Sequence, residues 1–121
     1  MHAIILFAHG SRDPLWHQPI QAVAQRIYAL APQSLVRCAY LELTEPDLLQ
    51  VASELALLGA TSLCVVPLFL GVGKHAREDL PLLIQQVKDA HPSMDVTCQR
   101  AVGEQDRLID LLADIALKGH A

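Results

Sequence analysis

Three short stretches of this chain carry side chains that can both ligate a metal and move protons. His9-Gly10-Ser11-Arg12 follows an apolar run at once. Glu42 and Glu45 lie in Tyr40-Leu41-Glu42-Leu43-Thr44-Glu45-Pro46. His75 stands in Gly71-Val72-Gly73-Lys74-His75, which continues as Ala76-Arg77-Glu78-Asp79-Leu80-Pro81. Imidazole with carboxylate suits late first-row divalent metals, and both groups also accept protons near neutral pH. Two histidines and one carboxylate leave coordination positions open, whereas a closed four-ligand set holds its metal. Arg12, Lys74 and Arg77 add positive charge, which suits an anionic substrate. Gly10, Gly71 and Gly73 permit tight turns and close backbone approach to a bulky ligand.

The same residues have plain structural readings. A histidine after a strand also serves as an ordinary hydrogen-bonded residue, and Glu42 or Glu45 as the cap of a following helix. His2, His91 and His120 sit at the terminus, beside a helix-ending proline and in the tail, and read as solvated. Trp16 reads as core, with the neighbouring His17 facing away from it. Arg26, Arg37, Lys88, Arg107 and Lys118 read as solvated surface. A phosphate loop is excluded at Gly71–Lys74, because the pattern needs glycine where Leu68 stands and Ser or Thr where His75 stands.

Elements that would bring the three stretches together follow from the apolar pattern. Apolar runs at Ala3–Ala8, Leu35–Leu43, Ser62–Leu70 and Asp95–Val102 read as strands. The first and third are almost continuously apolar, as strands covered on both faces are; the polar residues of the other two suit sheet edges. Between and after them lie helical stripes: Trp16, Ile20, Val23, Ala24 and Ile27; Leu48, Val51, Ala52 and Leu55 behind Pro46 at a first helical position; Leu80, Leu83, Ile84 and Val87 up to His91-Pro92; and Leu108, Leu111, Leu112 and Ile115 before Gly119. Alternating strands and helices predict an open parallel four-stranded α/β sheet with helices on both faces. The simplest right-handed arrangement is flavodoxin-like, strand order 2-1-3-4. Its switch point lies between strands 1 and 3, and ligands bind outside the carboxyl ends there, where His9 and His75 fall.

Composition narrows the classes further. A chain of 121 residues, 52% hydrophobic and with a formal net charge of −4, fits one folded domain, residues 1–121, and excludes intrinsic disorder. Leu63–Val72, the longest apolar run, contains Pro67 and Gly71 and is too short to span a membrane. The N-terminus shows no signal-peptide pattern. Cys38, Cys64 and Cys98 are odd in number and widely spaced, reading as reduced, packed thiols of a cytoplasmic protein. Nine Lys plus Arg without a cluster, and 4% aromatics, argue against nucleic acid.

His9-Gly10-Ser11-Arg12, the Tyr40-Leu41-Glu42 segment with its following proline, and Gly71-Val72-Gly73-Lys74-His75 leading into Glu78-Asp79-Leu80-Pro81 resemble the class II tetrapyrrole chelatases. More narrowly, the whole chain is similar to the short sirohydrochlorin cobaltochelatases and their ferrochelatase relatives. The resemblance implies insertion of Co2+ or Fe2+, as substrate metal, into sirohydrochlorin, on the route to cobalamin or sirohaem, with no tightly bound cofactor. It implies that His9 and His75 bind the metal and help remove pyrrole protons, with Glu42 as the matching acidic partner and Glu45 as the alternative. Arg12, Lys74, Arg77 and the amides of Gly10 and Ser11 would then hold substrate carboxylates. Lys74 departs from relatives, which often have a small or polar residue there. Longer relatives contain two such units facing across a cleft, so the resemblance implies a homodimer here.

Three other readings compete. A histidine phosphatase needs arginine where Ala8 stands, and a flavodoxin-like flavin binder needs a Ser/Thr-rich loop after the first strand. A non-catalytic metal or tetrapyrrole carrier uses similar ligands and stays open.

Overall fold

In a computed structural model of the chain, residues 1–119 are described; the His120 expectation lies outside them. Four strands, β1 (His2–Ala8), β2 (Leu35–Tyr40), β3 (Ser62–Pro67) and β4 (Asp95–Cys98), form one sheet in the order β2-β1-β3-β4. Every neighbouring pair is parallel, with Phe7 opposite both Ala39 and Pro67. The helices are α1 (Gln18–Leu30), α2 (Leu48–Leu57), α3 (Lys74–Ala90) and α4 (Asp106–Leu117), with 3-10 turns at Pro14–His17 and Val102–Glu104. The expected fold class and strand order are therefore observed.

The two faces of the sheet are covered unequally. On one, Ala3, Ile5, Phe7, Leu63 and Val65 pack against Leu48, Val51, Ala52 and Leu55 of α2 and Ile84 and Val87 of α3. On the other, Leu6 and Val36 meet Ala24, Ile20 and Ile27 of α1. Helix α4 buries no residue at all: Ile109, Leu111, Leu112 and Ile115 are exposed. Its apolar stripe reads in sequence as one of the helices lying on a face of the sheet. Instead α4 packs on the Val102–Glu104 turn, and Thr97 and Gln99 beyond β3 remain exposed.

Strands β2, β3 and β4 each stop short of the end of their apolar run. Pro67 ends the pairing of β3 with β1, and Leu68 donates its amide to Phe7 as the chain leaves the sheet. Pro46 is not the first residue of α2. It follows a cis peptide bond, and Asp47 caps the helix by accepting from the Gln50 amide at 2.8 Å. Gln50 Oε1 accepts from the Asp47 amide in return, also at 2.8 Å, completing a capping box. Asp47→Ala is expected to cost about 1 kcal/mol of stability, read as a lower midpoint in urea with unchanged slope.

Several surface expectations change as well. His91 is half-buried and its Nε2 lies 3.3 Å from Ser53 Oγ. Arg37 is half-buried: it donates to Glu54 at 2.9 Å and to the Tyr28 hydroxyl at 3.2 Å, and the Glu54 hydrogen bond holds its pKa up. Cys38 and Cys64 are half-buried, but Cys98 is an exposed residue rather than a packed one. Desolvation raises the Cys38 and Cys98 thiol pKa values.

Candidate functional site

The carboxyl ends of β1 and β3 place His9 and His75 on one cavity of about 430 Å3, which also takes in Glu42, Lys74 and Asp79. His9 leaves β1 directly. His75 belongs to the first turn of α3, which starts six residues before Leu80, the first residue of its apolar stripe. A larger cavity, about 570 Å3, lies at the opposite, amino end of the strands around Met1, His2 and Ser34. Its one imidazole has no carboxylate beside it, so it lacks the donor set for this chemistry.

His9 is held from three sides. Its Nδ1 lies 3.0 Å from Glu42 Oε1, both side chains being nearly half exposed. An ionised carboxylate only accepts, so Nδ1–H donates and Nε2 keeps its lone pair for a metal or a proton. The ring rests on Phe69 with centroids 4.7 Å apart, and Phe69 in turn meets Phe7 edge-on at 6.0 Å. The third hold is the Trp16 indole N–H, which donates to the His9 carbonyl at 2.9 Å.

Glu42 is fixed by backbone as much as by side chain. Leu41 donates its amide to the Ala8 carbonyl at 2.8 Å, so the loop after β2 stays against β1. Leu43 has φ +68°, unusual for a branched residue, and Thr44 donates to the Glu42 carbonyl at 2.9 Å across it. That strained turn lies beside the acidic side chain. Gly10 makes the approach possible: a Cβ there would sit 1.9 Å from the Glu42 carbonyl oxygen. Neither Glu42 nor Glu45 caps α2. Glu45 accepts from Gln50 Nε2 at 3.4 Å and takes no part in lining the cavity.

The remaining candidates divide. Lys74 lines the cavity beside His75, while Arg12 and Arg77 are exposed and do not line it. Ser11 accepts from the Asp13 amide through Oγ at 3.0 Å, and Asp13 accepts from the Leu15 amide at 3.0 Å, so these residues shape the loop that follows His9. Gly71 and Gly73 show no close approach, since a Cβ at either meets nothing within 4 Å. Gly10 is the glycine of the three whose backbone is crowded. Among the described residues no three His, Cys, Asp or Glu side chains are gathered into a group that could hold a metal ion. His75 thus shares the cavity with the His9–Glu42 pair without closing a three-ligand set.

Sequence reasoning missed several parts. Trp16 was expected in the core and is 53% exposed on a 3-10 turn. His17, not Trp16, turns inward, its ring 4.4 Å from that of Tyr40, whose pKa is pushed up mainly by burial. Gly103 was not singled out. A Cβ there would sit 1.6 Å from the Leu70 carbonyl oxygen, so the Val102–Glu104 turn backs the loop leading to His75. Its amide donates to Phe69 at 3.0 Å.

A CbiX family model matches residues 3–117. The chain belongs to the CbiX family. This CbiX-family chain is 28% identical over 118 residues to a sirohydrochlorin cobaltochelatase of Sulfolobus acidocaldarius, covering 98% of the chain and 92% of that relative. It is 29% identical over 114 residues to a sirohydrochlorin ferrochelatase of Priestia megaterium, covering 94% of the chain but only 43% of the relative. In structure it is similar to a cobalamin (vitamin B12) biosynthesis CbiX protein of Marinobacter aquaeolei, with TM-score 0.83, 30% identity, and coverage of 98% and 94%.

Proposed function

We propose that this chain is a metal chelatase that inserts Co2+ or Fe2+ into sirohydrochlorin, acting through His9, His75 and Glu42. The observation that carries the reading is the shared cavity: a carboxylate-oriented imidazole from one element and a second imidazole from another, beside a lysine. Family membership and the cobalto- and ferrochelatase relatives support the substrate.

Insertion exchanges two pyrrole N–H protons for one divalent ion. The site must therefore hold the ion loosely, accept protons and release the product. Glu42 keeps His9 in the tautomer whose Nε2 can ligate or take a proton, and balances charge when the ring is protonated. His75 supplies the second donor from across the cavity. Because no third donor closes the set, the macrocycle nitrogens can complete the coordination and draw the ion away. Lys74 pairs with a substrate carboxylate at the rim, and the exposed Arg12 and Arg77 and the amides of Gly10 and Ser11 serve further carboxylates at the edge. Gly10 also has the packing role given by its contact with Glu42.

The same reading takes residues 1–121 as one chelatase-like domain that works as a homodimer, with a second copy facing the cavity. The apolar side of α4 favours this, since Leu111, Leu112 and Ile115 are exposed on one helix. The chain also spans less than half of the ferrochelatase relative. Leu112→Asp with Ile115→Asp is expected to yield a monomer by sedimentation velocity, and an unchanged dimer would remove α4 from the interface. Three unpaired thiols suit a reducing compartment such as the cytoplasm, and no helix among the described residues is long and apolar enough to cross a membrane.

Anaerobic absorbance spectroscopy of sirohydrochlorin with Co2+, and separately Fe2+, tests the reaction at substoichiometric protein. Many turnovers above the uncatalysed rate are expected, and the ratio of rates ranks the two metals. Tight binding without repeated turnover would instead make the chain a carrier.

A further inference from the structure

We propose that Trp16 is a substrate-positioning residue: its indole, with the small apolar cavity it borders, seats part of the flat face of the tetrapyrrole beside His9. This rests on the chelatase reading and adds to it a specificity residue outside the His9–Glu42–His75 set.

Trp16 is the only tryptophan of the chain and more than half of it is exposed. An exposed indole usually keeps rotamer freedom, but this one is tied down. Its N–H donates to the His9 carbonyl at 2.9 Å, and its backbone amide donates to Asp13 at 3.0 Å. Asp13 is itself set by Ser11 and accepts from the Leu15 amide, so the segment from Ser11 to Trp16 is held by its own hydrogen bonds. A large apolar surface ordered before any ligand arrives loses little entropy on binding, and aromatic faces recognise planar conjugated ligands by offset stacking.

Position identifies the ligand. Trp16 lines an apolar cavity of about 240 Å3 with Ala8, His9, Pro19, Ile20 and Leu68. His9 is also a wall of the polar cavity that holds Glu42, Lys74 and His75. The donor imidazole thus stands at a boundary between an apolar recess and a polar, cationic one. A tetrapyrrole has the same division, with an apolar conjugated face, anionic groups at its rim and nitrogens at its centre. A bare metal ion would have no use for the apolar side.

The test compares Trp16→Ala and Trp16→Phe with the wild-type chain in steady-state insertion of Co2+ into sirohydrochlorin, varying each substrate in turn. Trp16→Ala is expected to raise KM for sirohydrochlorin roughly tenfold, with a smaller change in KM for Co2+, since the indole N–H also holds the His9 carbonyl. Trp16→Phe keeps a ring face without the N–H that ties it to His9 and should recover part of the loss. An unchanged KM in Trp16→Ala would overturn the proposal, as would a phenylalanine variant no better than alanine. A KM defect that disappears at high protein concentration, with dissociation seen by sedimentation, would assign Trp16 to contact with a second copy instead. Wild-type chain that neither binds nor turns over sirohydrochlorin would remove the chelatase reading, a result distinct from all of these.

Discussion

His9→Ala is expected to lower sirohydrochlorin metallation by at least about a hundredfold while leaving the fold intact. The magnitude follows from losing one metal donor and one proton acceptor together, since general acid–base groups alone contribute roughly 10²- to 10⁴-fold. The side chain is nearly half exposed and lies outside the buried core, so truncation empties surface rather than interior. Its ring covers Phe69, and some loss of stability is expected there, well below that of a core deletion. Glu42→Gln separates orientation from ligation. The amide can still accept from Nδ1–H but no longer balances a charged ring, and a loss of roughly 10- to 100-fold is expected for such a supporting partner. Initial rates under anaerobic conditions, with melting curves recorded alongside, check both.

Gly10→Ala should damage stability and activity together. The added Cβ would stand 1.9 Å from the Glu42 carbonyl oxygen, and the neighbour is backbone, so a rotamer change cannot relieve it. Either the loop after β2 or the loop after β1 must move. Overpacking of this kind costs about 1–3 kcal/mol, and the movement separates Glu42 from His9. Thermal unfolding should show a clear fall in Tm, and the metallation rate should fall at least as far as in Glu42→Gln. Gly71→Ala and Gly73→Ala are the controls. Each Cβ points into open space, so both variants should retain the wild-type Tm within a few degrees.

Much of the architecture was legible because it depends on period and order. Strands β1 and β3 are continuous apolar runs, the helical stripes repeat at three and four residues, and their alternation leaves few right-handed topologies. That order also placed His9 and His75 at neighbouring strand ends. What periodicity cannot carry was misread. The first turns of α3 are polar and solvated around Ala76, so the apolar stripe marks the helix only from Leu80, although it starts at Lys74 and carries Pro81 inside it. Helix α4 has a good apolar stripe, but a stripe states only that something covers it, not that the same sheet does. Trp16 joined the α1 stripe by spacing, whereas Pro14 and the Asp13 cap turn it onto a separate 3-10 segment.

The acidic partner shows the same limit. Glu42 and Glu45 were both available in sequence, and spacing did not choose between them. Backbone contacts favour Glu42: the Leu41 amide on Ala8, the left-handed Leu43 and the missing Cβ of Gly10 together put Glu42 against His9. Phe69, under the imidazole, and Gly103, behind the Leu70 carbonyl, lie outside any repeating pattern. They follow from close approach of segments far apart in the chain.

His75→Ala gives the most direct test of the central claim, that two imidazoles on separate elements hand one metal to the macrocycle. His75 is exposed at the start of α3, so the variant should fold as the wild type does. Turnover of sirohydrochlorin with Co2+, measured beside wild type, is predicted to fall to about 1% or less. A His75→Ala enzyme working at near-wild-type rate would contradict the account, because insertion would then proceed without the second donor.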